Sequence, residues 1–243
     1  MSFSYFRKYY GGILLLAIFL GISVIACGPK QTPQQQAESS YNKGTQLWDQ
    51  GKWVDAINAW KQATQLNPNY YDAWFQLGLG YKKIGDKLMS GNQKDDAVKA
   101  YVLSAQYYQK AIQINPNDPS SHNNLANVFF AIQKYDEAIE EYHKAITLKP
   151  YEPDYHYNLA NTYSKKGMAK QAIEHYEEAI RIDPNYFDAY FNIANLYEKL
   201  NDTQNAIRYY QEYINRENRP SEAEWVNRAK QKVQQLRGGG GIY

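Results

Sequence analysis

Side chains that could do chemistry are few in this sequence. The candidates are the single cysteine, Cys27, and the four histidines, His122, His143, His156 and His175. A serine or cysteine nucleophile needs a neighbouring base and an orienting group, and none stands in such an arrangement. The sequence also lacks a glycine-rich phosphate-binding loop. These observations predict no catalytic residue, no bound cofactor and no enzymatic activity.

The chain begins with a segment that has the composition of an export signal. The first ten residues contain Arg7 and Lys8 and no acid, and residues 11–26 form an apolar run. A basic start followed by a short apolar run is typical of a signal peptide, so we predict one over residues 1–26. An uncleaved anchor helix is the alternative, because residues 9–29 are uncharged and close to the length that spans a membrane.

The sequence around the cysteine, Val24-Ile25-Ala26-Cys27-Gly28, resembles the lipobox of bacterial lipoproteins. In that family the cysteine sulfur takes a diacylglycerol, the chain is cleaved before the cysteine, and the new amino terminus is acylated. The resemblance implies lipid attachment at Cys27 and a lipid-anchored location at the cell membrane. In a Gram-negative organism it implies the periplasmic face of the outer membrane, because Gly28 is not the aspartate of the retention signal. The polar, proline-bearing residues 27–36 are predicted to form a flexible tether.

Charge is balanced over most of the chain. The sequence has 27 basic and 25 acidic residues, for a net charge of +2, and Arg7 and Lys8 supply the excess. A body with balanced charge lacks the electrostatic footprint of nucleic-acid binding, so no nucleic acid is expected among its partners. With 44% hydrophobic and 15% aromatic residues, the chain can bury a sizeable core.

A four-residue word recurs with a period of 34 residues. It is Asn-Leu-Ala-Asn at residues 124–127 and 158–161, and Asn-Ile-Ala-Asn at residues 192–195. Prolines that end apolar runs punctuate the same stretch at Pro68, Pro116, Pro150 and Pro184. A fixed period in this range is typical of stacked supersecondary units. Because apolar residues recur at spacings of three and four on two segments of each unit, each unit is predicted to be a helical hairpin.

The residues Trp74-x-x-Leu77-Gly78-x-x-Tyr81 resemble the tetratricopeptide signature. The resemblance implies an all-α fold, a right-handed α-α superhelix in which about five helix-turn-helix repeats form a tetratricopeptide (TPR) solenoid. The repeats are assigned to residues 37–70, 71–118, 119–152, 153–186 and 187–220. One small residue on each first helix lets helix backbones approach closely. These residues are Gly44, Gly78, Ala126, Ala160 and Ala194.

Two segments depart from the regular repeat. The second repeat is 14 residues longer than the next, and we expect the extra residues to lengthen both helices, with a turn near residues 90–93. A loop over residues 85–96 is the alternative. An amphipathic segment over residues 221–237 is predicted to be a capping helix, which a solenoid needs at its open end. The glycine-rich tail, residues 238–243, is predicted to be disordered.

In tetratricopeptide proteins the concave surface, lined by the first helices, binds peptide segments. The repeated asparagines are similar to those in the superhelix of O-linked N-acetylglucosamine transferases, which hold an extended peptide backbone. That resemblance assigns peptide binding to the first asparagine of each word, Asn124, Asn158 and Asn192. A primary amide both donates and accepts hydrogen bonds, so it can pair with any backbone unit. The aromatic residues predicted to add apolar contact in the groove are Tyr41, Phe75, Tyr157 and Phe191.

A structural reading of these asparagines is the alternative. The amides could satisfy neighbouring turns or simply face water. The second asparagine of each word is the one that we assign to the scaffold. These residues are Asn127, Asn161 and Asn195.

The histidines are predicted to be packing residues. His122 and His156 occupy equivalent positions in adjacent repeats, which stacking separates by on the order of 10–20 Å. That distance is too large for both rings to ligate one metal ion, so no metal site is predicted. Both histidines are expected to take the half-buried place that Trp74 has in the second repeat.

Together these features predict a membrane-anchored scaffold or assembly factor of the bacterial cell envelope. Its expected partners are envelope proteins, bound through peptide segments in the groove, and the membrane, bound through the lipid anchor. Two other functions stay open at this point. The aromatic-rich groove could carry a carbohydrate or another small ligand, or the repeats could self-associate end to end as a structural assembly.

Overall fold

A computed structural model describes residues 31–238 of the chain. The predicted signal peptide, Cys27 and the tail from residue 239 onward lie outside the described residues. Within residues 31–238 the regular structure is entirely helical, which confirms the all-α fold. None of the helices in this part of the chain is both long enough and apolar enough to cross a membrane.

The helices follow one another as antiparallel pairs, and each pair packs on the next to form a superhelix of repeats. Their bounds are α1 Pro33–Asp49, α2 Trp53–Leu66, α3 Tyr71–Ser90, α4 Lys94–Ile114, α5 Pro119–Ala131, α6 Tyr135–Leu148, α7 Pro153–Lys165, α8 Ala169–Ile182, α9 Phe187–Lys199, α10 Thr203–Arg216 and α11 Ala223–Gly238. A short 3₁₀ helix, Pro220–Glu222, joins α10 to α11.

The first helix begins earlier than the sequence analysis placed it. Thr32 accepts a hydrogen bond from the backbone N–H of Gln35 at 3.3 Å, and the side chain of Gln35 accepts one from the N–H of Thr32 at 2.9 Å. This reciprocal capping box, with Pro33 at the first helical position, starts a helix. Residues 33–36, which the sequence analysis assigned to the flexible tether, are therefore helical.

The extra residues of the second repeat lengthen both of its helices. α3 has 20 residues and α4 has 21, and they are joined by a turn in which Asn92 has a φ of 60°. The added turns carry their own packing, because the ring of Tyr101 lies against Gly85 and its hydroxyl donates to Asp86 at 2.7 Å. These contacts explain why the segment forms a hairpin rather than a loop.

Small residues on the first helix of each repeat face large aromatic residues on the second. A Cβ added to Gly44 would lie 2.5 Å from the ring of Trp60, and one added to Gly78 would lie 2.7 Å from the ring of Tyr108. The aromatic residues at this position are all buried, and they are Trp60, Tyr108, Tyr142, Tyr176 and Tyr210. Close approach of the two backbones therefore depends on these small residues.

The last helix, α11, closes the end of the solenoid. Its buried residues Ala229 and Val233 pack in one cluster with Tyr213 of α10. Lys232 donates to Glu198 at 2.6 Å, which ties α11 to the end of α9. Tyr213 stands where the preceding repeats carry alanine, and the contact with α11 explains the larger side chain.

Candidate binding groove

Three of the residues predicted to bind peptide come together at the C-terminal end of the groove. Tyr157 of α7 and Phe191 and Asn192 of α9 line a pocket with a volume of about 460 Å³. A second pocket, of about 440 Å³, shares Asn192 and Asn195 with the first. We call the first of these the terminal pocket. The remaining predicted residues lie in earlier repeats and do not line it.

The terminal pocket has an aromatic floor built from three helices. Phe191 is 9% exposed and meets Tyr213 of α10 and Trp225 of α11 edge to face, at ring centroid distances of 5.3 and 5.5 Å. Trp225 is 44% exposed, so much of its ring remains open to a ligand. Edge-to-face packing holds these rings in place without covering the pocket.

Charged groups stand around this aromatic floor. Asp188 lines the pocket from α9, Glu222 from the short 3₁₀ helix and Arg228 from α11. The guanidinium of Arg228 lies 5.2 Å from the ring centroid of Trp225, a cation–π distance. Partial burial raises the pKa of the Asp188 carboxyl above its ordinary value, and Arg219 opposes that effect. The pocket therefore offers an acceptor, a donor and an apolar surface side by side.

The first asparagine of each word makes a different contact in each repeat. The Nδ2 of Asn192 donates to the hydroxyl of Tyr157 at 3.1 Å, and that of Asn158 donates to Oδ1 of Asn123 at 3.3 Å. Both bonds cross to the preceding repeat. Asn124 instead donates to the backbone carbonyl of Ser120 within its own helix, at 2.9 Å. Each amide donates one N–H in this way and keeps a second N–H donor and its carbonyl oxygen for other partners.

The second asparagine of each word belongs to the scaffold, as predicted. Its Oδ1 accepts a hydrogen bond from the buried tyrosine of the same hairpin. The pairs are Tyr142 with Asn127 at 2.6 Å, Tyr176 with Asn161 at 2.5 Å and Tyr210 with Asn195 at 2.7 Å. A buried hydroxyl without such a partner would carry a desolvation penalty.

The other predicted aromatic residues pack mainly against their own repeats. The ring of Phe75 meets that of Tyr108 at 5.6 Å, and Tyr41 meets Tyr70 at 5.1 Å. Tyr157 also packs against Tyr186, with ring centroids 4.8 Å apart. Of the four predicted aromatic residues, only Tyr157 and Phe191 therefore line the terminal pocket.

Sequence reasoning missed the contribution of α11 to the groove. Trp225 and Arg228 line the terminal pocket from the capping helix, which the sequence analysis treated as a cap alone. The available signal was Trp225 itself, a large aromatic residue that stands outside the apolar series of an amphipathic helix. Tryptophan is enriched at binding interfaces, where its ring supplies apolar area and its N–H a polar contact.

Family models match this chain over most of the repeats. A "TPR repeat" model matches residues 44–85 and 126–167. One "Tetratricopeptide repeat" model matches residues 153–186, and a second matches residues 107–140 and 175–208. These matches agree with the helix pairs of the structure and with the small residues that let the paired helices pack closely. The chain belongs to the tetratricopeptide repeat proteins.

Individual relatives are more distant. The photosystem I assembly protein Ycf3 of Acaryochloris marina is 27% identical over 105 residues, which is 43% of this chain and 63% of that protein. The match thus spans less than two thirds of that relative's length. Among solved structures, MamA has a TM-score of 0.64 at 24% identity, covering 71% of this chain and 93% of that one. YrrB, a TPR protein with an unusual peptide-binding site, has a TM-score of 0.62 at 15% identity, covering 80% and 92%. At these identities the structures establish the shared fold alone.

Proposed function

We propose that this protein is a membrane-anchored scaffold or assembly factor of the bacterial cell envelope that binds peptide segments of envelope proteins. The observation that carries the proposal is the terminal pocket, where an amide, an aromatic floor and charged groups meet. The proposal assigns no enzymatic activity to the chain. The peptide segments supply the specificity, and the repeats hold them in place.

The chemistry of the terminal pocket suits a peptide. Asn192 keeps one N–H and its carbonyl oxygen after bonding Tyr157, so it can pair with a backbone N–H and C=O. Phe191 and Trp225 offer an apolar surface to a side chain next to that backbone. Concave sites that combine aromatic side chains with a small number of placed polar groups are typical of ligand recognition.

The relatives support a role in binding and assembly. Ycf3 is a photosystem I assembly protein, and YrrB has a peptide-binding site. These descriptions concern Ycf3 and YrrB themselves. Because this chain shares their repeat architecture, they favour a scaffold role for it. Membrane and envelope placement rests instead on the lipobox-like residues 24–28.

A lipid anchor at Cys27 would hold the solenoid close to the bilayer. Because α1 begins at Pro33, only six peptide units separate the proposed lipid site from the first helix. A fully extended chain of that length reaches about 20 Å. The anchor would therefore present the repeats at the membrane surface.

Affinity capture tests the groove. The full chain is expressed in its native membranes and cross-linked, and the captured proteins are compared with those of a variant carrying Asn158→Ala, Asn192→Ala and Trp225→Ala. The variant is expected to lose the partner at least tenfold. Tyr151→Ala is the matched control, because Tyr151 is 73% exposed and does not line the terminal pocket. Equal capture by the triple variant and the wild type would show that the groove does not bind the partner.

A separate experiment tests the anchor. Cys27→Ser is expected to leave an unprocessed precursor that takes up no labelled fatty acid. Mass spectrometry and fractionation compare it with the wild type. Unchanged mass and unchanged partition would remove the lipid anchor from the proposal without affecting the groove.

A carbohydrate or small-ligand carrier is the second candidate, and the partly exposed side chain of Trp225 favours it. Stacking of a sugar on that indole would change tryptophan fluorescence on titration with oligosaccharides. Saturable changes that Trp225→Ala abolishes would favour the carrier over the scaffold.

End-to-end self-association is the remaining alternative, and light scattering over a range of concentrations tests it in the same samples.

A further inference from the structure

Two histidines of the fourth repeat face each other across its helix pair. Nδ1 of His156 on α7 lies 3.4 Å from Nδ1 of His175 on α8. His143 on α6 stands nearby, with its ring centroid 5.9 Å from that of His175, and its Nε2 contacts the hydroxyl of Tyr163 at 3.0 Å. The sequence analysis compared His122 with His156 and did not consider this pair.

The other ring nitrogen of His156 is held in place. Nε2 lies 3.0 Å from the carbonyl oxygen of Pro150, and a carbonyl only accepts, so Nε2 carries the proton. In the neutral ring Nδ1 then carries the lone pair that faces His175, and it accepts the hydrogen bond between the two Nδ1 atoms. A backbone carbonyl on the far nitrogen is the usual outer contact of a metal-binding histidine.

The third repeat has a carboxylate in place of His175. There Nδ1 of His122 lies 2.6 Å from a carboxylate oxygen of Glu141, and Nε2 contacts the carbonyl oxygen of Pro116 at 3.0 Å. His175 stands 34 residues after Glu141, at the equivalent position. An imidazole thus replaces the carboxylate, so the contact between a histidine and a carboxylate in one repeat becomes a contact between two ring nitrogens in the next.

We propose that His156 and His175 bind a divalent transition-metal ion, of which zinc is the first candidate. Two nitrogens that ligate one tetrahedral zinc at about 2.0–2.1 Å stand about 3.3–3.4 Å apart, which is the separation found here. Imidazole also suits copper and nickel. The two ligands come from facing helices, so the ion would clamp the fourth repeat.

Water completes the coordination shell. Between residues 31 and 238, no group of three histidine, cysteine, aspartate or glutamate side chains is placed to hold an ion. His175 is half-buried, so the site is reached from solvent and the ion can exchange.

The repeats themselves suggest a variant that preserves the fold. Tyr190 occupies the position of His156 in the fifth repeat, and its hydroxyl donates to the carbonyl of Pro184 at 3.3 Å. His156→Tyr therefore removes the ligand and keeps a native contact of the solenoid. His175→Gln removes the second ligand, and His143→Gln is the matched control, because it changes a neighbouring ring outside the proposed pair.

Calorimetric titration of the chelator-treated full chain with zinc tests the proposal, with thermal melting as a second readout. We expect one ion per chain, a higher melting temperature with zinc, and at least a tenfold weaker affinity in both His156→Tyr and His175→Gln. His143→Gln should bind as the wild type does. Absence of saturable binding, or binding that survives either ligand variant, would overturn the site. Melting without metal verifies that each variant folds.

Discussion

The hydroxyl of Tyr176 donates a 2.5 Å hydrogen bond to Oδ1 of Asn161, fifteen residues before it on the facing helix. The same relationship joins tyrosine and asparagine in the third and fifth repeats. The second repeat lacks it, because Leu79 takes the place of the asparagine. The hydroxyl of Tyr108 is consequently buried without a hydrogen-bond partner among residues 31–238.

The unpaired hydroxyl of Tyr108 leads to the first prediction. Tyr108→Phe removes a buried hydroxyl that has lost its contacts with water and gained no hydrogen bond. The substitution should therefore leave the free energy of unfolding unchanged or raise it. Tyr176→Phe is the matched variant and should lower the free energy of unfolding by about 1 kcal/mol. Urea denaturation of both proteins measures the difference. A larger loss for Tyr108→Phe than for Tyr176→Phe would contradict this account.

The two asparagines of one word should respond differently to substitution. Asn161→Ala leaves the buried Tyr176 hydroxyl without an acceptor and should cost about 1–3 kcal/mol of stability. Asn158→Ala removes one long, half-buried contact to Asn123 and should change stability by only about 0.5 kcal/mol. Thermal and urea unfolding distinguish them. Equal destabilisation by the two substitutions would mean that Asn158 also belongs to the scaffold.

Glycine at the close contact in the first repeat is a packing requirement. Gly44→Ala places a methyl group 2.5 Å from the ring of Trp60 and should destabilise the protein by about 1–3 kcal/mol. Gly91→Ala is the control. The nearest atom to its added Cβ is the carbonyl oxygen of Lys87, at 3.4 Å, so the change should be within about 0.5 kcal/mol. Differential scanning calorimetry compares the two, and matching melting temperatures would refute the packing argument.

Acid stability should depend on the turn before α11. Glu217 has a fully buried side chain and accepts hydrogen bonds from Nε and Nη2 of Arg219 at 3.0 and 2.5 Å. These bonds lower the pKa of Glu217 below its ordinary value of 4.5. The carboxylate therefore contributes stability above the unfolded-state pKa, and this contribution is lost as the pH falls through the folded-state pKa.

Melting temperatures from pH 7 to pH 3 test this dependence. Glu217→Gln should melt below the wild type at pH 7, and the two curves should converge as the pH falls below 4.5 and through the lowered folded-state pKa of Glu217. Glu212→Gln is the control, because Glu212 forms an exposed pair with Arg216 and should track the wild type throughout. Parallel curves for Glu217→Gln and the wild type would show that Glu217 does not govern acid stability.

Much of the architecture was open to prediction because its causes are local. The spacing of apolar residues, the prolines that end helices, and small residues such as Gly78 and Ala160 all act within one hairpin or between neighbours. The different roles of Asn158 and Asn161 could also be predicted from the sequence, because the partner of Asn161 lies in its own hairpin. The start of α1 was readable as well, from the Thr32 and Gln35 capping box, but the polar composition of the segment obscured it.

The sequence by itself determined the repeats, their number and the face on which each hairpin packs, because a fixed period specifies contacts between successive elements. Only the tertiary structure decided which side chains of different helices meet. It brought Trp225 of the capping helix beside Phe191, and it set His156 against His175. Such pairings depend on how the helices pack on one another, and no periodicity along the chain encodes that geometry.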